Sequence, residues 1–410
     1  MYYFSKKRAI ELLEYFSVAG IIICSGTKFF SVYHGIATQL CWFVSCLLLL
    51  FIKKRVNKNL LVEGGIIISI LTFILLINYN REMDYQFYFS LLLRIICIVI
   101  LFSNMNIKVF EAKFVDIIIL ESIMSLICFF LVVIMGVDTL PLQFSYTEQK
   151  LGGYDVITLT PYYTIGALSS GGNYVRNSGM FIEAPMHQFF LNIALLFLIY
   201  RIRTLLSDRR FKIYFVIICI TVLTTKSTAG YLCLILIIFS ILFKKQLSRN
   251  ELIIRIGIFL GILIFIYCIC VFGGVFDKLL YGSGSFVTRL ADTIGTFRMS
   301  FKHPIFGTGF YTDVGLFSKY GVETRSNGLL NLVIQFGYPL TILYLFLISK
   351  NIGFYFKNDT IFKIIFMLII LITLSTEPIG TYPVLICFIF RGRRENNEYN
   401  IVDYSNNMSS

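Results

Sequence analysis

Apolar residues run through this chain in long unbroken blocks, separated by short charged joints. Neither the two-residue alternation of a half-buried strand nor the one-sided stripe of a soluble amphipathic helix prevails. A block near 20 residues spans a hydrocarbon core about 30 Å thick. About twelve such blocks occur, near 10–27, 35–52, 60–78, 85–103, 114–136, 186–200, 211–226, 229–243, 252–273, 327–349, 361–376 and 382–390. The expected fold is all-α, a polytopic integral membrane bundle of about twelve transmembrane helices. Residues 1–390 form one transmembrane domain, and 391–410 form a polar tail expected to be disordered. The last block is the shortest and the weakest of the set.

The joints alternate in charge. Lys6-Lys7-Arg8, Lys53-Lys54-Arg55, Arg201 to Arg210, Lys244-Lys245 and Arg391-Gly392-Arg393-Arg394 fall on one side. The positive-inside rule places that side, and both termini, in the cytoplasm. Two long loops, about 137–185 and 274–326, then lie outside. Of the 36 Lys and Arg, roughly 24 fall inside and roughly 11 outside. The formal net charge of +13 is therefore an orientation signal, and nucleic acid is not an expected partner. With 57% hydrophobic and only 14% charged residues, the composition is far from the roughly 25% charged of a soluble enzyme. The basic, then apolar, N-terminus resembles a signal peptide, but eleven further blocks favour an uncleaved first helix. All ten cysteines sit in apolar blocks, which excludes a disulfide framework in the loops and favours core packing.

Candidate chemistry concentrates in the two outer loops. Loops of about fifty residues are usually functional or disordered. These two carry enough apolar residues, Tyr162, Tyr163, Phe297 and Phe306 among them, to pack onto the bundle. The first ends in Arg176-Asn-Ser-Gly179-Met-Phe181-Ile-Glu183-Ala-Pro185-Met-His187. Pro185 suits a first helical turn, and Glu183 would lie near that helix N-terminus, where a carboxylate is favoured. The alternative is that Glu183 only caps the helix and Arg176 is a surface charge. The second loop reads Arg289-Leu-Ala-Asp292, Arg298-Met-Ser-Phe-Lys302-His303-Pro304-Ile-Phe-Gly307-Thr-Gly309 and Glu323-Thr-Arg325-Ser326-Asn327-Gly328. Arg289, Arg298 and Lys302 are expected to share a helix face, and His303-Pro304 to stop that helix. Gly307 and Gly309 would then let backbone approach a ligand closely. Arginines, a loop histidine and Gly-x-Gly together favour an anionic ligand over cations that merely reach for lipid headgroups.

Arg94 falls at the midpoint of the fourth block, where an arginine costs roughly 2.5–3.5 kcal/mol on insertion scales. Glu121, at similar depth in the fifth block, is its expected buried partner. Only three histidines exist, His34, His187 and His303. With no ligand-spaced His pair or Asp cluster, no metal site is expected. No phosphate-binding loop or dinucleotide fingerprint is present, so no nucleotide cofactor is expected.

With these residues the chain resembles the Wzy-type repeat-unit polymerases of O-antigen and capsule synthesis, grouped with the O-antigen ligases in one membrane superfamily. The resemblance rests on Arg176-x-x-Gly179-x-Phe181-x-Glu183-x-Pro185, His303-Pro304-x-x-Gly307-x-Gly309-Phe310, and Ser326-Asn327-Gly328-Leu329 followed by Gln335-Phe336-Gly337-Tyr338-Pro339. The hairpin Leu223-Thr-Thr-Lys226-Ser227-Thr228-Ala229-Gly230 also fits. The chain has Ser326-Asn327 where the family often has His-Asn, and Ser227-Thr228 where it often has Ser-Arg. Lys226 or Arg325 would supply the charge.

The resemblance implies sugar-chain transfer on the outer face of a bacterial cytoplasmic membrane, without cofactor. The substrate would be an oligosaccharide on undecaprenyl diphosphate. Arg176, Arg289, Arg298 and Arg325 would bind the departing diphosphate. His303 or Glu183 would be the catalytic base. Gly307, Gly309 and Asn327 would position substrate. Membrane lipids, a chain-length regulator and a flippase are the expected partners. A flippase for the same lipid-linked oligosaccharide is the alternative from another class, and a ligase the alternative within the superfamily.

Overall fold

The computed structural model describes residues 2–30, 35–78, 84–135, 149–151, 154–160, 163–168, 176–243, 249–272, 284–310, 322, 327–355 and 359–392. Its helices are α1 Tyr2–Ile23, α2 Gly35–Lys53, α3 Lys58–Ile77, α4 Tyr85–Asn104, α5 Ile107–Met135, α6 Ala184–Tyr200 and α7 Asp208–Thr224. They continue with α8 Thr228–Leu242, α9 Arg249–Phe272, α10 Gly284–Ser300, α11 Gly328–Tyr355, α12 Thr360–Thr376 and α13 Pro383–Cys387. Side chains fix many of the starts. Asp84 accepts a hydrogen bond from the Phe87 amide at 2.8 Å, Asp359 one from Phe362 at 3.1 Å, and Ser207 and Ser227 do the same for α7 and α8.

A helix stands at each of the first eleven expected positions. Among the described residues six helices are long and apolar enough to cross a membrane, and 184–200, 228–242 and 360–376 are shorter apolar helices. The chain is thus a multi-pass helical membrane protein. The twelfth position departs from expectation: α13 has five residues, too few to cross a bilayer at 1.5 Å per residue. Pro383 starts this helix, and the segment folds inward against α4 and α1.

The bundle is built around α6, which is buried from Ala184 to Leu198 and apolar on every side except for His187, Gln188 and Asn192. A helix of that kind belongs at the centre. Here α5, α7, α8 and α12 surround it. On one flank α2 packs on α1 and α4, and α3 packs on α4; on another, α11 pairs with α12. α9 is the most hydrophobic of the six long helices, with mean hydropathy 2.7, yet only 6% of that stretch is buried. Its apolar side chains face outward, as lipid contact requires.

Both long loops hold secondary structure. The first carries β1 Gln149–Leu151, β2 Tyr154–Thr160, β3 Tyr163–Leu168 and β4 Arg176–Asn177, a four-stranded antiparallel sheet in that order. This sheet was outside the helical expectation. The second carries α10. One end of the bundle collects ion pairs: Lys53 with Glu14, Lys113 with Glu14 at 3.5 Å and Arg201 with Glu111 at 2.8 Å. The two outer-loop motifs sit at the opposite end.

Candidate functional site

The end of the first loop is drawn down into the bundle. Backbone pairing does the pulling: the Lys28 amide donates to the Met180 carbonyl at 2.9 Å, and Ile182 donates to Gly26 at 3.2 Å. Below this bridge lies a buried polar knot. His187 Nε2 faces Glu121 Oε2 at 2.8 Å, and its Nδ1 faces the Asn177 carbonyl at 3.3 Å. A carbonyl only accepts, so the Asn177 contact takes the ring with its hydrogen on Nδ1. The Asn177 amide nitrogen donates to Thr224 Oγ1 at 3.0 Å, and the Met180 amide donates to Glu121 Oε1 at 3.3 Å.

Gly179 sits at the centre of the knot with φ +55°, and a Cβ there would fall 2.1 Å from Glu121 Oε1. Both the left-handed backbone and the missing side chain are therefore used. The expected Arg94–Glu121 pair is not formed. Glu121 is taken by His187, while Arg94 Nη1 donates to the Thr381 carbonyl at 2.9 Å and the guanidinium lies over the Phe30 ring. Depth along a span does not say which way a helix is turned. α5 presents Glu121 to α6, and α4 belongs to the α2–α3 flank.

Above the knot, Arg176 Nε donates to the Thr225 carbonyl at 3.3 Å. This brings its charge beside Lys226, in the tight turn between α7 and α8, where Lys226 has φ +46°. Both cations are half-buried. Burial, and after it the nearby Arg176 charge, holds the Lys226 ammonium below the ordinary lysine pKa. Two like charges confined together at the start of α8, where backbone N–H groups also point outward, form an anion-attracting corner.

Glu183 precedes α6 in extended conformation and makes no side-chain cap, so the simple capping role does not hold. It lies instead within electrostatic reach of Tyr382, as do Glu377 and Arg94. Glu377 is buried at the end of α12 and abuts Gly328, where a Cβ would meet the Glu377 carbonyl at 2.1 Å. Asn327 caps α11, accepting from the Leu330 amide at 3.0 Å. The start of α11 and the start of α6 thus flank one polar patch, lined by Arg94, Glu183, Glu377 and Tyr382.

The second motif locks onto a break in α11. Pro339 has no N–H for the Gln335 carbonyl, and the Gly309 amide supplies one at 2.9 Å. The Tyr338 amide turns to the Pro304 carbonyl at 2.8 Å, and Thr308 then donates to Ile334. Gly337 permits the break with φ +77°, and a Cβ at Gly307 would lie 2.5 Å from Gln335 backbone. The Gly-x-Gly segment, expected to approach a ligand, makes its close approach to the backbone of helix α11. Helix α10 ends at Ser300, just before His303-Pro304. Arg298, Lys302 and His303 are exposed.

Arg289 and Arg298 do not share a face. They lie nine residues apart on one continuous helix, about two and a half turns, which sets their backbone positions on opposite faces; Lys302 lies beyond its end. The Arg289 side chain and all of Arg325 fall outside the described residues. The structure therefore groups Arg176 with Lys226, Glu121 and His187, and places Arg298, His303, Gly307 and Gly309 on the α10–α11 flank. Sequence reasoning passed over Asn177 and gave His187 no role. Its one pointer to His187 was the rarity of histidine in the chain.

No protein-family model matches the chain, and no curated protein matches it.

Proposed function

We propose that this chain is a membrane glycosyltransferase of the repeat-unit polymerase type. It would join oligosaccharides carried on undecaprenyl diphosphate, at the outer face of a bacterial cytoplasmic membrane. In this reading about twelve segments cross or enter the bilayer, and both termini are cytoplasmic. The observation that carries the proposal is the Arg176–Lys226 corner: two half-buried cations held side by side at the bundle end that bears both loop motifs. Such an arrangement stores unfavourable like-charge repulsion that an arriving anion relieves.

The chemistry is a substitution at the anomeric carbon of the donor sugar. The bond from that carbon to the diphosphate oxygen breaks, and the electron pair leaves with the lipid diphosphate. An acceptor hydroxyl of a second lipid-linked unit forms the new bond and gives up its proton to a base. Charge growing on the leaving diphosphate meets Arg176 and Lys226. Glu183, uncommitted to capping and set in the polar patch beside Tyr382, is the base nearer this corner by chain position. His303, exposed on the other flank, remains the second candidate. His187 has both ring nitrogens engaged and serves to hold the Gly179 turn.

A transporter for the same lipid-linked oligosaccharide would leave unpolymerised units on the inner face when the gene is deleted. The polymerase reading expects single units on the outer face. A ligase would leave long unattached chains. Inner-face accumulation would overturn the proposal.

A further inference from the structure

An apolar groove with a cavity of about 410 Å³ runs along the outside of the bundle between α3, α4 and α11. Ile70, Ile74, Leu91, Leu340 and Leu347 line its length, and segment 380–391 forms its floor. The groove exists for two structural reasons. Helix α11 is broken at Gly337. The twelfth segment contributes only the five-residue α13, so no full helix fills the space between α3 and α11. Beyond the break, the lining follows α11 from Leu340 to Asn351, roughly 17 Å at 1.5 Å per residue, and Leu332 and Phe336 extend it on the other side of the break. The unbroken part alone covers about half of a hydrocarbon core about 30 Å thick.

Its two ends differ. One is closed by Phe336 and Leu332, beside the seat of the second loop. The other opens between Lys350, Arg391 and Glu63. There Asn351 is spent on the Phe388 and Ile389 carbonyls. Among the described lining residues two cations stand against one carboxylate. This mouth lies at the end that carries the ion pairs, away from Arg176 and Lys226. Lys54, Arg55 and Lys58, just before and at the start of α3, add to the same field.

We infer that this groove is a binding site for one membrane phospholipid with an anionic headgroup. An acyl chain lies along the apolar wall, and the phosphate sits at Lys350 and Arg391. The two cations at this depth set the choice of headgroup, and the wall recognises only hydrocarbon. A zwitterionic lipid presents the same chain without net negative charge. Inorganic phosphate presents the charge without the chain. The inference stands apart from the polymerase reading.

The test uses the full-length protein purified in a neutral detergent, with thermal unfolding followed against added lipid. Phosphatidylglycerol is expected to raise the midpoint in a saturable way, and phosphatidylcholine and inorganic phosphate to leave it unmoved. Replacing both cations (Lys350→Gln with Arg391→Gln) should raise the half-saturating phosphatidylglycerol concentration roughly thirtyfold, or about 2 kcal/mol at 1.4 kcal/mol per tenfold. Lys350→Gln alone, at an exposed position, should shift it about fivefold and carries the test if the double variant is not recovered. Leu343→Trp, at a lining position that is 40% exposed, should block the groove and remove the response. Equal stabilisation by phosphatidylcholine, or an unchanged response in the cation variants, would overturn the inference.

Discussion

At Gly179 one missing methyl group decides whether the first-loop motif can form. The backbone has φ +55°, and Glu121 Oε1 occupies the place of a Cβ. Gly179→Ala should lose about 3 kcal/mol of stability, combining left-handed strain with a displaced buried carboxylate. Gly65 and Gly257 lie in helices with open space around them. Alanine at either should be neutral or gain up to about 1 kcal/mol. Chemical denaturation in detergent compares the three. His187→Ala should cost about 3–5 kcal/mol, because it strands Glu121 in the interior.

Lys226 makes a prediction of the opposite sign. Burial and Arg176 lower its pKa, so its folded-state charge is unfavourable at neutral pH. Lys226→Met should raise stability while weakening the binding of a lipid diphosphate. In the native protein, affinity for that anion should fall as alkaline pH deprotonates Lys226, beginning below the usual lysine range. Unchanged affinity up to that range would remove Lys226 from the corner.

Among the elements, α11 and the second loop depend on each other. The loop returns hydrogen bonds that Gly337 and Pro339 remove from the helix, and an unsatisfied buried carbonyl costs about 1–3 kcal/mol. In Gly337→Ala a Cβ would meet the Ile305 carbonyl at 2.1 Å. Amide exchange at Thr308 and Gly309 should then accelerate at least tenfold, about 1.4 kcal/mol of lost protection. Unchanged exchange would mean that the loop is held by something else. The sequence motifs Gly307-x-Gly309 and Gln335-Phe-Gly337-Tyr-Pro339 were both visible in advance. Their joining was not, because residues thirty apart carry no sign of which free carbonyl meets which N–H. Helix positions were legible for a simpler reason: hydrocarbon demands long apolar runs. The sheet in the first loop lacks that constraint and went unseen. Arg94 and Glu121 failed differently, since hydropathy gives depth and leaves rotation about the helix axis open.

For the whole molecule, orientation is the property that charge alone predicts. Reporters fused within the α7–α8 turn at Lys226 should read as external, and those at the Arg203–Asp208 turn as cytoplasmic. The reverse would place the Arg176–Lys226 corner on the nucleotide-rich side and rule out the polymerase reading. With the expected orientation, the bundle has a cationic corner outside and an ion-paired end inside, joined by the buried α6. The most direct test of the account reconstitutes the purified protein in lipid with a defined undecaprenyl-diphosphate-linked repeat unit. Glycan length and released lipid diphosphate are followed together, for wild type and for Arg176→Ala at equal folded amount. Wild type should lengthen the glycan and release one lipid diphosphate per bond formed, and Arg176→Ala should be slower by about 10²–10³. No lengthening by the wild type, or full rates in Arg176→Ala, would contradict the account.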